Sequence, residues 1–455
     1  MYNPNMGLIL ADALRIISSH SIAFIGSGGK TTAIFQLARQ FKSPVIVTAT
    51  SHLGAWQVSM ADRHVVAESL HALPEIEKDL NGVILITGSF DADRTKPVGA
   101  NLLNELHQLC ARQSIPLLIE ADGSRQKPLK AWADHEPPIP GFVDHVVQVV
   151  GLTGLGKPLN DKFVHRSELF SKLSGLSIGG FITPDALTRV LTHNESGLKN
   201  IQTGARRTLV LNQADTTELQ ASARGMVQLL LSSFDSVVIS SLEHETIFAV
   251  HESVAGIVLA AGESSRYGQP KQLLDWKGEP FARVVARRAL EAGLAPVVVV
   301  TGASGDQTEA VVKDLNVTVV KNSEWKSGQG SSIREAVKSL TPGPSPKTGE
   351  GDVGAAIFLL ADQPQITTSI LRALMEKHAE GLFPIVAPMV MDRRANPVLF
   401  DRATFPDLSS IEGDVGGRAI FDKHHVEYLP WHDDRLLLDV DTPENYQRLI
   451  ADETL

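Results

Sequence analysis

Short, unbroken apolar runs rich in valine and isoleucine recur along the chain and alternate with stretches of helical period. SIAFIG (21–26), PVIVTAT (44–50), GVILITG (82–88), PLLIEADG (116–123), HVVQVVG (145–151), RTLVLNQAD (207–215) and SVVIS (236–240) read as strands. Runs without polar alternation belong to strands buried on both faces, which is the condition inside a parallel sheet flanked by helices. TTAIFQLARQF (31–41) and TELQASARGMVQLLLSSF (217–234) supply such helices. The grammar restarts with GIVLAA at 256. PVVVVTG (296–302), VTVVKN (317–322), AAIFLLADQP (355–364), PIVAPMV (384–390) and VEYLP (426–430) follow, interleaved with amphipathic stretches at 281–293, 306–315, 331–340 and 369–380. At 455 residues the chain exceeds one ordinary core. The pattern predicts two doubly wound, mostly parallel α/β domains, 1–245 and 254–455, with the boundary inside 241–255. The Pro/Gly/Ser-rich segment TPGPSPKTGEGD reads as a flexible surface insertion at 341–353.

A net charge of −10 argues against a nucleic-acid partner and leaves room for small anions in a local basic pocket. The single cysteine, Cys110, lies in a helical stretch (101–113); it excludes an intrachain disulfide and reads as a packed residue. The first residues lack the basic start and apolar core of a signal peptide, and no apolar run reaches the length that spans a bilayer. The cytoplasm, with no membrane partner, is the expected location.

In the second half, the buried strand Ile257–Val258–Leu259–Ala260 breaks at Ala261–Gly262 into a polar loop carrying Arg266, Gly268 and Lys271. Glycines after a buried strand let backbone amides approach a phosphate, and two cations there neutralise a triphosphate. Asp362 ends the run LLADQP, where a strand delivers a carboxylate to the sheet edge. Asp439 and Asp441 repeat the device near the C-terminus. They are expected to face opposite ways, with Asp441 sharing Asp362's ligand or else capping the helix that Pro443 and Glu444 open.

The pattern AAGxSxRxGxxKxLL resembles the MobA-like nucleotidyltransferases over roughly residue 254 to the end. Leu259-Ala260-Ala261-Gly262 is closest to the cytidylyltransferase branch, MocA, because the guanylyltransferase branch has glycine where Ala261 stands. The resemblance implies a nucleotide-diphospho-sugar-transferase-like, Rossmann-type fold and transfer of CMP from CTP to molybdopterin with release of pyrophosphate. It further implies Mg²⁺ on Asp362 and Asp441, catalytic roles for Arg266, Lys271 and Asp362, and nucleotide contacts from Leu259, Ala260, Ala261, Gly262, Gly268 and Asn322. Segments around Asn396, Asp414 and Arg418 resemble its acceptor side. Ser331 and Ser332 read as nucleotide-loop residues or as helix N-caps.

In the first half, Gly26, Gly28, Gly29, Lys30 and Thr31 form a phosphate-loop pattern between strand and helix, although Phe24 stands where the standard motif has glycine. The loop is similar to the shorter GTNGKTT loop of Mur ligases. Lys30 is expected to reach the β/γ oxygens and Thr31 to ligate Mg²⁺. Glu120 and Asp122 end another strand as metal ligands or turn carboxylates. Asn212-Gln213-Ala214-Asp215 is similar to the guanine-reading N-K-x-D loop or is an ordinary turn. With residues 120–140 and 150–166, this half resembles the YqeC family, associated with selenium-dependent molybdenum hydroxylases. That implies an accessory, nucleotide-binding domain and a molybdenum hydroxylase client. Arg125, Lys127, Lys130, His135, His165 and Arg166 are candidates for an anion site. The alternatives are GTP or a sugar or isoprenoid phosphate as substrate, or a non-catalytic cofactor carrier.

Overall fold

The computed structural model describes residues 7–16, 21–263, 267–340 and 353–451. The chain forms two compact units that divide between His251 and Glu252.

The first unit is built on a nine-stranded sheet. In chain order the strands are β1 (Ser21–Gly26), β2 (Val45–Ala49), β3 (Arg63–Val66), β4 (Val83–Thr87), β5 (Leu117–Glu120), β6 (His145–Gly151), β7 (Arg206–Asn212), β8 (Ser236–Ser241) and β9 (Thr246–Glu252). Their spatial order is β9-β8-β7-β6-β1-β5-β2-β4-β3. Every pairing from β8 across to β3 is parallel. The central strands β1, β2, β4, β5, β6 and β8 are buried along their whole length, because helices cover the sheet. Ala23, Ile25, Ile84, Ile86 and Ile119 pack against Leu102, Leu106 and Cys110 of the helix Ala100–Gln113. Burial pushes the Cys110 thiol up to about 12, so it is an inert core residue.

The second unit holds β10 (Val254–Ala260), β11 (Val297–Thr301), β12 (Thr318–Lys321), β13 (Ala355–Leu360), β14 (Ile385–Val390), β15 (Val398–Asp401) and β16 (Val426–Pro430). The order is β12-β11-β10-β13-β15-β14, with β16 and the short Arg393–Arg394 strand also on β14. One face packs Val258, Ile357 and Leu359 against Val285, Ala289 and Leu371; the other packs Ile257, Val298 and Phe358 against Ile333 and Val337.

Two details differ from the sequence reading. Thr246–Glu252, placed beyond the end of the first domain at 245, extends the first sheet as its edge strand. NPVLF (396–400), read as an acceptor segment, forms most of β15, which runs antiparallel between β13 and β14. The insertion at 341–353 lies outside the described residues up to 352. Among the described residues no helix is long and apolar enough to cross a membrane.

Two candidate sites at the switch points of the sheets

In both units the connections leave the central strand in opposite directions, and a crevice opens at its carboxyl end, where open α/β sheets bind ligands. In the second unit the chain runs from β10 to β11 on one side and later places β13 on the other. A cavity of about 850 Å³ lies at this point. Leu259, Ala260, Ala261 and Gly262 line it from the end of β10, and Asp362 lines it from the end of β13. Lys271 enters from the short 3₁₀ turn Lys271–Leu273.

Lys271 Nζ lies 2.7 Å from an Asp362 carboxylate oxygen and 3.0 Å from an Asp441 oxygen. Burial pulls the ammonium's pKa down. The charge of Asp362 and the hydrogen bonds to both carboxylates more than offset this, so the pKa is raised and Lys271 stays charged. Asp441 is positioned by its neighbour. Val440 is fully buried in a small core with Leu274, Trp276, Phe281 and Leu449. Asp441 N donates to Asp439 O at 3.1 Å, a tight turn around Val440. Residues two apart on a regular strand share a face. Here the turn separates them: Asp441 meets Lys271, while Asp439 accepts from Gln363 Nε2 at 2.8 Å. Thr442, not Asp441, caps the helix Pro443–Ala451 by accepting from Asn445 N. Burial, the Gln363 hydrogen bond notwithstanding, raises the Asp439 pKa, helped by the charges of Asp362 and Asp441. Asp439, Asp441 and Asp362 together form a local negative field, which Lys271 answers at Asp362 and Asp441. Among the described residues no group of three or more His, Cys, Asp or Glu side chains is arranged to hold a metal ion.

Other expected residues fall differently. Arg266 lies outside the described residues. Asn322 is buried and does not line this cavity: its amide donates to Ser331 Oγ at 2.8 Å and Ser332 Oγ at 3.0 Å, while its oxygen accepts from Glu324 N. That ties the loop to the helix Gln329–Leu340, and Asn322 lines a neighbouring cavity of about 630 Å³ with Thr301, Gly302 and Trp325. Ser331 and Ser332 serve the same network rather than capping the helix. Asp414 lines the cavity, but Asn396, at the foot of β15, and Arg418, exposed on the turn Gly417–Lys423, do not. Gly268 also stands off it, in a left-handed conformation at φ 82°.

In the first unit the crevice lies between β1 and its neighbours β5 and β6, and a cavity of about 1100 Å³ opens over residues 28–32. Gly28 and Gly29 have φ of 74° and 131°. A Cβ on Gly28 would stand 2.4 Å from Gly151 N, and one on Gly29 2.3 Å from Asn212 Nδ2. Asn212 supports the loop by donating to Gly28 O at 2.8 Å, and Asp215 is held by Ser241. Neither is presented as a base reader; Gln213 lines the cavity instead.

Lys30 departs from expectation. Its ammonium is buried, donating to Gly26 O at 2.6 Å and pairing with Asp122 at 3.2 Å. The reason is Asp122. This fully buried carboxylate also accepts from Gly26 N at 3.0 and 3.1 Å, Lys130 Nζ at 2.9 Å and Trp132 Nε1 at 2.7 Å. Burial raises its pKa, but the charges of Lys30 and Lys130 prevail and hold it below the usual carboxylate range. Glu120 remains on the cavity wall, accepting from Thr31 Oγ1 at 3.3 Å, with its pKa raised by burial.

Of the expected anion cluster, Arg125, Lys127, His165 and Arg166 line the cavity. Lys130 is buried against Asp122 and Glu136, and His135 is exposed away from it. Burial, with Arg166 and Lys130 nearby, pushes His165 down to about 4, so it is neutral at pH 7. Arg166 grips Glu136 with two bonds of 2.6 and 2.9 Å. Burial opposes the Glu136 charge, but Arg166 and Lys130 lower its pKa from 4.5 to about 2. The folded value is depressed, so its contribution is complete above about pH 4.5 and is lost as pH falls toward about 2. Glu136→Gln is expected to lower stability at neutral pH and to flatten the loss across that window, measured as urea midpoints against pH. Parallel profiles for variant and parent would contradict it.

Comparison with known proteins agrees with this division. The family of YqeC proteins matches residues 22–168, and the MobA-like NTP transferase domain matches residues 256–428. The YqeC protein of Escherichia coli K12 is 29% identical over 217 residues, 46% of this chain and 82% of its own length. Nicotine blue oxidoreductase of Paenarthrobacter nicotinovorans is 29% identical over 211 residues, 43% of this chain and 96% of its own. Molybdenum cofactor cytidylyltransferase of E. coli K12 is 23% identical over 197 residues, 42% of this chain and 92% of its own. With its two sheets, each with a cavity at the switch point, the chain is a fusion of a YqeC-like domain with a MobA-like NTP transferase domain.

Proposed function

We propose that the second unit is a nucleotidyltransferase that moves CMP from CTP to the phosphate of molybdopterin. An acceptor phosphate oxygen attacks the α-phosphorus, the bond to the bridging oxygen breaks, and pyrophosphate leaves. The observation that carries this reading is the Asp362–Lys271–Asp441 arrangement in the switch-point cavity. The carboxylates of Asp362 and Asp441, both within reach of Lys271, are hard oxygen donors that would hold Mg²⁺ together with the substrate's phosphates. Held there, Mg²⁺ would supply charge neutralisation and polarisation of the phosphate oxygens. Lys271 then exchanges its carboxylates for the triphosphate and holds positive charge where negative charge develops. Gly262 and its neighbours keep the wall open for close approach of the phosphates. The first unit, in this reading, binds a nucleoside triphosphate over residues 28–32 and assists maturation of a molybdenum hydroxylase.

The test is pyrophosphate release from each of the four nucleoside triphosphates with purified molybdopterin. Ala261 at the loop favours CTP, with kcat/KM expected to exceed that for GTP by about tenfold, only ~1.4 kcal/mol of differential transition-state binding. Equal or better turnover of GTP overturns the cytidylyl assignment. One relative is named an oxidoreductase, which puts redox activity on a similar chain. The paired carboxylates around a lysine favour phosphate chemistry here.

A further inference from the structure

The cavity of the first unit has a second wall that the phosphate loop does not explain. The segments after β2 and β4 fold into a small antiparallel sheet, in which Leu53–Gly54 pairs with Arg94–Thr95 and that strand pairs with Phe90–Asp91. The 3₁₀ helix Ala55–Met60 follows, and Ala55 N donates to Asp93 O at 2.8 Å. This wall brings Trp56, Asp93 and Arg94 to the same cavity that Gly28, Gly29, Lys30 and Thr31 line.

Trp56 is 56% exposed, whereas Trp132 of the same unit is 1% exposed. A tryptophan is the most costly side chain to leave in water, and its face is the best platform for another flat ring. Its position is framed rather than loose. A Cβ on Gly54 would stand 2.4 Å from the indole nitrogen, so the absence of that side chain gives the ring its place. Ser59 Oγ bonds the Trp56 carbonyl at 3.0 Å. On the opposite wall Glu120 is 7% exposed and faces the cavity beside Thr31. The nearest loop cation, Lys30, is committed to Asp122. The Glu120 carboxyl accepts from Thr31 and feels the charges of both Lys30 and Lys130. At about 1100 Å³ the cavity has room for a ring, a sugar and phosphates together.

We propose that the first unit binds a phosphorylated planar heterocycle, its phosphates on residues 28–31 and its ring stacked on Trp56. This rests on the reading of residues 26–32 as a phosphate loop, and it adds the group that recognises the rest of the ligand. Stacking on an aromatic side chain tolerates any base, so Trp56 supplies affinity and little choice among bases.

The experiment uses the full chain carrying Lys271→Ala, which removes the triphosphate's cation from the second cavity. Calorimetric titrations are run with the magnesium complexes of ATP, GTP and CTP, with inorganic triphosphate, and with a pterin monophosphate. Trp56→Ala is expected to weaken the best ring-bearing ligand by about tenfold and to leave inorganic triphosphate unchanged. Trp56→Phe should retain most of the affinity, which separates stacking from a fold defect. If a nucleotide binds and Trp56→Ala binds it as the parent does, the ring platform is refuted while the phosphate loop stands. If Trp56-dependent binding occurs only with the pterin monophosphate, the platform is supported and the triphosphate reading of this unit is overturned. If no probe binds the parent, the phosphate-loop reading fails and takes this inference with it.

Discussion

Asp362→Asn is expected to reduce kcat for pyrophosphate release by about 10²- to 10⁴-fold in a folded protein at saturating Mg²⁺. Asparagine keeps the shape and one oxygen but removes the charge that fixes Lys271 at 2.7 Å and would hold the cation on the phosphate. Asp441→Asn should cost less. Its carboxylate is 54% exposed, against 29% for Asp362, so water screens and replaces it more readily. Asp439→Asn should be the mildest, because its oxygen is spent on Gln363 and lies off the cavity wall. The rank order of kcat is the measurement. An Asp439 variant slower than the Asp441 variant would mean that the turn at Val440 presents the wrong carboxylate. A near-parental Asp362→Asn would remove the proposed centre altogether.

The strands of both sheets were legible because burial on both faces writes itself as unbroken valine and isoleucine runs, and the element types follow from that period. β15 escaped because only four residues, Val398–Asp401, form it, and they sit between two parallel neighbours as the antiparallel exception. β9 escaped because its outer residues Thr246, Ile247 and Phe248 are only half-buried at a sheet edge, which blurs the signal. Carboxylates that end a strand were visible, and so Asp362 and Asp441 were found together. Their third partner, Lys271, was assigned to phosphate, since sequence spacing cannot show that a lysine and two acids meet. The same limit hid Asp122 as a hub. It draws Lys30, Lys130 and Trp132 from separate segments, and only the fold brings them within hydrogen-bonding distance. Asn322 meets the same limit: in sequence, a polar residue beyond a strand end looks the same whether it faces a ligand or knits two loops together. Trp56 carried no sequence signal, because an exposed tryptophan is recognisable only once its exposure is seen.

Asp122→Ala is expected to destabilise the first unit by roughly 3–5 kcal/mol, the cost of stranding buried charge. The side chains of Asp122 and Lys130 are both 0% exposed and that of Lys30 is 4% exposed, so neither ammonium can turn to water when the carboxylate is removed. Lys130 keeps Glu136 at 3.2 Å and the Gly123 carbonyl at 2.8 Å, but Lys30 keeps only the Gly26 carbonyl among the bonds described above. The loop suffers as well, because Gly26 N loses the acceptor that holds the end of β1. A loss of this size is a large part of a domain's total stability and corresponds to a fall in melting temperature on the order of 10 °C. Trp132→Phe removes a single hydrogen bond to the same carboxylate and should cost about 1–3 kcal/mol, which sets the scale for the larger variant. Denaturant titration of the full chain, followed by circular dichroism for the Asp122 variant beside the parent, reads the effect. If Asp122→Ala unfolds at the parental midpoint, the lysines have found other partners and Asp122 does not organise the loop. If it costs no more than Trp132→Phe, the charge pairing contributes nothing beyond a neutral hydrogen bond, and the buried network is ornament to a loop held by its glycines.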